Sequence, residues 1–106
     1  MTSSLKGHLE LIVLAALRET PRHGYAIIKE LRARSNGEFA LLEGTLYPVL
    51  YRLEAAGLVK SRWQTEAGRR RRVYELTTKG RGALAEQESE WRSFTRTLDL
   101  VLGSAQ

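Results

Sequence analysis

The sequence predicts a mainly α chain with one small β-hairpin: three short helices, the hairpin, and a long final helix. Three observations predict it. Apolar residues recur at helical spacing in three segments that end at strong stops. Arg69 to Leu76 alternates side to side behind a run of strand formers, which is the period of a strand. Leu84, Gln87, Trp91, Phe94, Leu98 and Val101 then recur in heptad fashion.

The first helix is expected from Leu5 to Glu19, with Leu5, Leu9, Ile12, Val13, Ala16 and Leu17 on one stripe. Leu11 and Leu14 fall off that stripe, and a helix apolar on more than one face must be covered on more than one side. Thr20-Pro21 closes it, because the residue before a proline is pushed out of the helical region. A second helix runs from Gly24 or Tyr25 to Ser35, with Ile27, Ile28 and Leu31 inward, and Asn36-Gly37 stops it. After the apolar linker Phe39–Leu42, a third helix covers about Gly44 to Ala56. Pro48 is tolerable only near a helix start, which fixes the N-terminus close to Glu43 or Gly44, and Gly57 follows the C-terminus.

Projecting that helix at about 100° per residue puts Leu46, Val49, Leu50 and Leu53 on one face. Gly44, Thr45, Pro48, Tyr51, Arg52 and Ala55 take the other, with Tyr47 at the boundary. Hydroxyls, aromatic rings and one charge are unusual on a solvated face. Tyr47 and Tyr51 are either half-buried packing residues or groups presented to a ligand.

Leu58 to Trp63 and Arg69 to Leu76 make an antiparallel hairpin around a turn at Gln64 to Gly68. Arg70, Arg72, Tyr74 and Leu76 share one face, and Arg69, Arg71, Val73 and Glu75 the other. Three helices followed by a basic hairpin is the order of a winged helix-turn-helix, in which a helix fits the DNA major groove and a cationic ribbon reaches the neighbouring minor groove. The final helix runs from Thr77 or Thr78 to about Leu102, with Thr77 as a natural N-cap. At about 1.5 Å per residue it is roughly 37 Å long, more than the rest of the chain can cover. Its strip of Leu84, Trp91, Phe94, Leu98 and Val101 therefore implies a second chain, the alternative being a helix folded back on its own domain. The expected division is a DNA-binding unit over residues 1–77 and a dimerisation helix over 78–106.

Composition narrows the function. The chain has 106 residues and no cysteine, which excludes disulfides and Cys-bearing zinc sites. His8 and His23 lie far apart without metal-ligand spacing, and no cofactor motif is present. The longest apolar run, Leu11–Leu17, is far short of the roughly 20 residues of a membrane span. A cytoplasmic protein without membrane attachment is expected, lying on the nucleoid when bound to DNA. Residues 1–57 carry a net +1, residues 58–82 carry +6, and residues 83–106 carry −2. Lys60 and the run Arg69, Arg70, Arg71 and Arg72 concentrate the positive field, and four consecutive arginines repel one another unless a polyanion or a carboxylate array lies near. No paired carboxylates in an apolar setting, no supported Ser-His-Asp arrangement and no phosphate-binding glycine loop argue for an enzyme. Gly80 and Gly82, near the start of the last helix, read as close-packing positions or a bent start.

Several segments resemble the PadR family of bacterial transcriptional regulators. They are Leu5–Leu17, His23-Gly24-Tyr25, Glu43-Gly44-Thr45-Leu46-Tyr47-Pro48 through Arg52-Leu53-Glu54, Gly57-Leu58-Val59, Arg72-Val73-Tyr74-Glu75-Leu76-Thr77, Lys79-Gly80-Arg81 and Trp91. The length resembles the subfamily with a single C-terminal helix. The resemblance implies a homodimer whose last helices pack on the partner's first helix. It also implies binding to palindromic double-stranded operator DNA, usually as a repressor, with release in some members by a phenolic or planar hydrophobic effector. In drug-sensing relatives a C-terminal tryptophan lines a cavity at the dimer interface, and Trp91 stands at that position. This chain departs in lacking other aromatic and acidic residues that such a pocket could use. Trp91, with Leu11 and Phe94, either walls a small aromatic effector's pocket or simply packs the dimer core. The competing function is a helical adaptor whose arginine hairpin binds an acidic protein.

Overall fold

The computed structural model describes residues 7–103. Helix α1 (Leu9–Ala16) is followed by β1 (Arg22–His23), α2 (Gly24–Arg34), α3 (Glu43–Ala55), β2 (Val59–Glu66), β3 (Arg69–Leu76) and α4 (Thr78–Leu102). Leu5, expected in the first helix, lies outside the described residues. That helix ends at Ala16 instead of Glu19. The Arg22 guanidinium reaches back to donate to the Ala16 carbonyl at 2.9 Å, satisfying one of the acceptors freed at the helix end.

The hairpin is longer than its composition suggests. Strand β2 continues through Gln64, Thr65 and Glu66, which were expected in the turn, and pairs with Arg69, Arg70 and Arg71. The turn is Ala67-Gly68 alone, with φ of 52° and 77°. Two positive φ values make the tight reversal whose twist matches its strands. A third strand was not foreseen: Arg22 and His23 pair with Tyr74 and Val73, so the sheet order is β1-β3-β2.

The core forms where α1, α2 and α3 meet the sheet. Val13, Leu14, Ile27, Leu46, Leu50, Leu53 and Tyr74 are among its buried members. The four α3 residues expected inward (Leu46, Val49, Leu50 and Leu53) are all buried. Each contributes about 1.5–3 kcal/mol through the hydrophobic effect. That anchoring fixes which face of α3 turns outward.

The base of α4 is fastened tightly. Thr77 Oγ1 accepts from the Gly80 N–H at 2.9 Å as an N-cap and donates to the Gly57 carbonyl at 2.6 Å. Lys79 Nζ donates to the Ala56 carbonyl at the end of α3 at 3.0 Å. Gly80 lies against the Leu58 backbone, where an added methyl would overlap the Leu58 carbonyl. This is the close approach expected of Gly80, whereas Gly82 has open space around it. One expectation is corrected here. Leu84, assigned to a partner-facing strip, is only 4% exposed and joins the chain's own core. The strip begins beyond it, first alongside α1, where Glu88 pairs with Arg18 at 2.9 Å, and then on the exposed end of α4.

Candidate nucleic-acid interface

A cleft of about 590 Å³ opens between α3 and the hairpin. It is lined by Tyr47 and Tyr51 from α3, Trp63 from β2, Arg69 to Arg72 from β3, His23 from β1, and Gly24 and Tyr25 from the start of α2. Glu43 is the only carboxylate among its lining residues. Four guanidiniums against one carboxylate give the cleft a positive field, and aromatic rings supply its apolar surface.

The α3 side is presented as the helical projection requires. Gly44, Pro48, Tyr51 and Arg52 are exposed, while Thr45 and Tyr47 are half-buried. Tyr47 leans over Gly24: a methyl there would stand 2.6 Å from the Tyr47 ring carbon Cζ and closer still to its hydroxyl. Burial, followed by the neighbouring Glu43, raises the Tyr47 phenol above its ordinary pKa. Tyr47 is thus partly a packing residue that seats α3 against α2, and its ring centroid lies 6.1 Å from that of Tyr51. Arg52 belongs elsewhere. Its Nε is 3.8 Å from Glu10 of α1, and it lines a different cleft, so it is not gathered with the two tyrosines.

On the hairpin the arginines have unequal surroundings. Lys60, Arg69 and Arg70 are exposed. Arg72 lies 3.9 Å from Glu54 of α3, whose carboxylate also accepts from Ser61 Oγ at 2.7 Å. Arg71 Nη1 is 2.7 Å from Nε2 of His23, whose Nδ1 is 3.3 Å from the Ala26 N–H at the start of α2. A neutral imidazole accepts at one nitrogen only, so these two bonds are alternatives, one per tautomer. Burial first, then the adjacent Arg71 charge, lowers the His23 pKa and so favours the neutral ring.

A second cleft, of about 740 Å³, lies between α1 and α4 and brings Leu11, Trp91 and Phe94 together as expected. It also holds His8, Glu10, Arg52, Gln87 and Glu90, so aromatic and acidic neighbours thought to be missing are present. The His8 ring meets Trp91 edge-on at 4.7 Å, and Trp91 and Phe94 are 5.9 Å apart. Phe94, at the cleft, is still 56% exposed, and beyond it Val101 is 77% exposed, with Leu98 less so. Among the described residues no cluster of acids, histidines or cysteines could hold a metal, and no helix is long and apolar enough to cross a membrane.

Sequence reasoning passed over Trp63, Tyr25 and His23 as cleft residues. The signal for Trp63 was available: a two-residue turn at Ala67-Gly68 places Trp63 opposite Arg72.

Residues 13–86 match the family model described as the Transcriptional regulator PadR-like family. The chain is 38% identical over 88 residues to a transcriptional regulator of Mycobacterium tuberculosis, covering 83% of this chain and 79% of that one. Among solved structures, a PadR family transcription regulator of Clostridium difficile is 33% identical with a TM-score of 0.80, covering 91% of this chain and 99% of the other. A PadR-like regulator of Bacillus cereus superposes with a TM-score of 0.84 at 25% identity, covering 99% and 100%.

Proposed function

The chain belongs to the PadR-like family of transcriptional regulators, and from that premise we propose that it binds palindromic operator DNA as a homodimeric repressor. The observation that carries the proposal is the cationic, aromatic cleft between α3 and the hairpin. The exposed face of α3 enters the major groove, where Thr45, Tyr47 and Tyr51 offer hydroxyls to phosphates or base edges and rings to thymine methyls. Lys60 and Arg69 to Arg72 neutralise phosphates beside it. An adaptor for an acidic protein would have no need of tyrosines beside an arginine ribbon.

Dimerisation is supported by the exposed apolar face of α4 at Trp91, Phe94, Leu98 and Val101, which finds too little cover in its own chain. A two-fold pair would set two α3 helices against successive major-groove turns, roughly 34 Å apart. The α1/α4 cleft is then the place where a small planar aromatic effector would bind against Trp91, Leu11 and Phe94 and favour a dimer with the wrong spacing.

Fluorescence anisotropy with a random duplex over a range of salt tests the DNA reading. Log affinity is expected to fall linearly with log salt, and the double variant Arg69→Ala/Arg70→Ala to lower the slope by about 1.8, or 0.9 per phosphate contact. An unchanged slope removes the hairpin from the interface.

A further inference from the structure

Trp63 is 54% exposed and contributes nothing to the core, yet two cations attend it. The Arg70 guanidinium carbon lies 4.7 Å from its ring centroid and that of Arg72 lies 5.4 Å from it. The register explains the grouping. Trp63 pairs directly with Arg72, and Arg70 pairs with Thr65 one step of the same face further on. That face is the one turned to α3, because Ser61 and Tyr74 share it, the former bonding Glu54 and the latter lying in the core.

Two guanidiniums this close to one ring repel each other in the absence of an anion. The electron-rich indole face offsets part of that repulsion and limits where each side chain can go. Arg72 has Glu54 as a second neighbour, but at 3.9 Å, with both side chains partly exposed, the pair is weak. The arrangement is therefore a fork with a flat apolar floor. Its chemical complement is an anion joined to a compact apolar ring, the repeating unit of a sugar–phosphate backbone. A free peptide carboxylate supplies the anion without the ring.

We infer that Trp63, Arg70 and Arg72 form one grip for the DNA backbone, in which a phosphate takes both guanidiniums and a deoxyribose packs on the indole. Trp63 thereby contacts DNA and positions the two arginines. This inference rests on the DNA-binding reading above, and it differs from it in making an uncharged residue of the hairpin contribute as strongly as a charged one.

The test compares Trp63→Ala, Trp63→Leu and Trp63→Phe in the full chain, with a random duplex as probe and thermal melting to confirm that each is folded. The indole holds both guanidiniums in place before DNA arrives, so Trp63→Ala loses the sugar contact and that preorganisation together and is expected to bind about tenfold more weakly. Trp63→Leu is expected to bind as poorly as Trp63→Ala, and Trp63→Phe to return within about threefold of the wild type, because the requirement is for a π face. The salt slope is expected to fall by about 0.9 in Trp63→Ala as a phosphate contact is lost. Full rescue by leucine, or an unchanged affinity and slope in Trp63→Ala while wild type binds duplex, overturns the grip and leaves the DNA reading intact. Failure of the wild type to bind any duplex overturns the DNA reading itself. A direct probe is ¹⁹F NMR of protein carrying 5-fluorotryptophan, with the Trp63 resonance assigned by its loss in Trp63→Phe. Duplex is expected to shift that resonance and shield it from a soluble paramagnetic relaxation agent. A Trp63 signal that shifts with single-stranded DNA but not with duplex identifies a base-stacking platform instead and overturns the backbone grip.

Discussion

Two open clefts each take residues from α3, and each holds a tryptophan about half exposed, Trp63 at 54% and Trp91 at 41%. Their neighbours set them apart. Around Trp63 stand guanidiniums; around Trp91 stand His8, Phe94 and Leu11, with Glu10 and Glu90 at the edges. An exposed indole is ambiguous by itself. Ringed by cations it suits a polyanion, and ringed by apolar and acidic groups it suits a second apolar surface or a neutral planar molecule. The same residue type thus marks two different contacts on one small chain.

The largest expected effect breaks one cleft without touching the other. Phe94→Asp places a charge in the proposed interface and should weaken dimerisation by about 100-fold, the loss typical of a central interface residue. Sedimentation velocity at micromolar concentration checks it, and an unaltered dimer would mean that α4 pairs through another face. Gly80→Ala acts on the base of α4, because the new methyl meets the Leu58 backbone. Overpacking there should cost about 1–3 kcal/mol and lower Tm by several degrees, read by calorimetry. A smaller change is confined to the hairpin. Ala67 holds φ 52°, a region where asparagine is at ease and alanine is strained. Ala67→Asn should stabilise the fold by about 0.5–1 kcal/mol in a denaturant melt and leave dimerisation unchanged.

The smallest effect is one of pH. His23 has a lowered pKa when folded, through burial and then Arg71, so the unfolded chain binds its proton more readily. Stability from the neutral ring is complete above the unfolded value near 6.5 and is lost as pH falls below it. His23→Asn keeps an N-cap for α2 but cannot titrate, so its melting temperature should vary less with pH on the acid side of 6.5 than that of the wild type. Equal pH profiles would show that folding does not lower the His23 pKa.

Much of the cationic cleft could be read from the chain, because it depends on local rules. The inward face of α3 follows from Leu46, Val49, Leu50 and Leu53, and the hairpin from alternation through Arg69 to Leu76. Contacts between distant segments could not be read. Strand β1 is two residues long and has no period to detect. Gln64 to Glu66 looked like a turn because polar residues on an exposed ribbon carry no apolar alternation. Leu84 and Phe94 continue one heptad pattern, yet the first is covered by its own domain and the second is not. Periodicity reports a helix face, and the chain's own tertiary packing decides who covers it. Arg52 similarly shares a helix face with Tyr51 but turns to Glu10.

The clasp that joins Thr77, Lys79 and Gly80 to the end of α3 and its following turn, with α1 held along the middle of α4 through Arg18–Glu88 and His8–Trp91, makes α4 a lever that moves together with α1. Its arm is roughly 37 Å long at about 1.5 Å per residue. A tilt of about 5° at the clasp would move the far end by about 3 Å, and a push of that size at the far end would re-aim α3 by the same angle. The short end carries the helix that faces the cationic cleft, and the long end carries the exposed apolar residues. A displacement too small to disturb packing at either end is thereby enlarged or reduced on its way to the other.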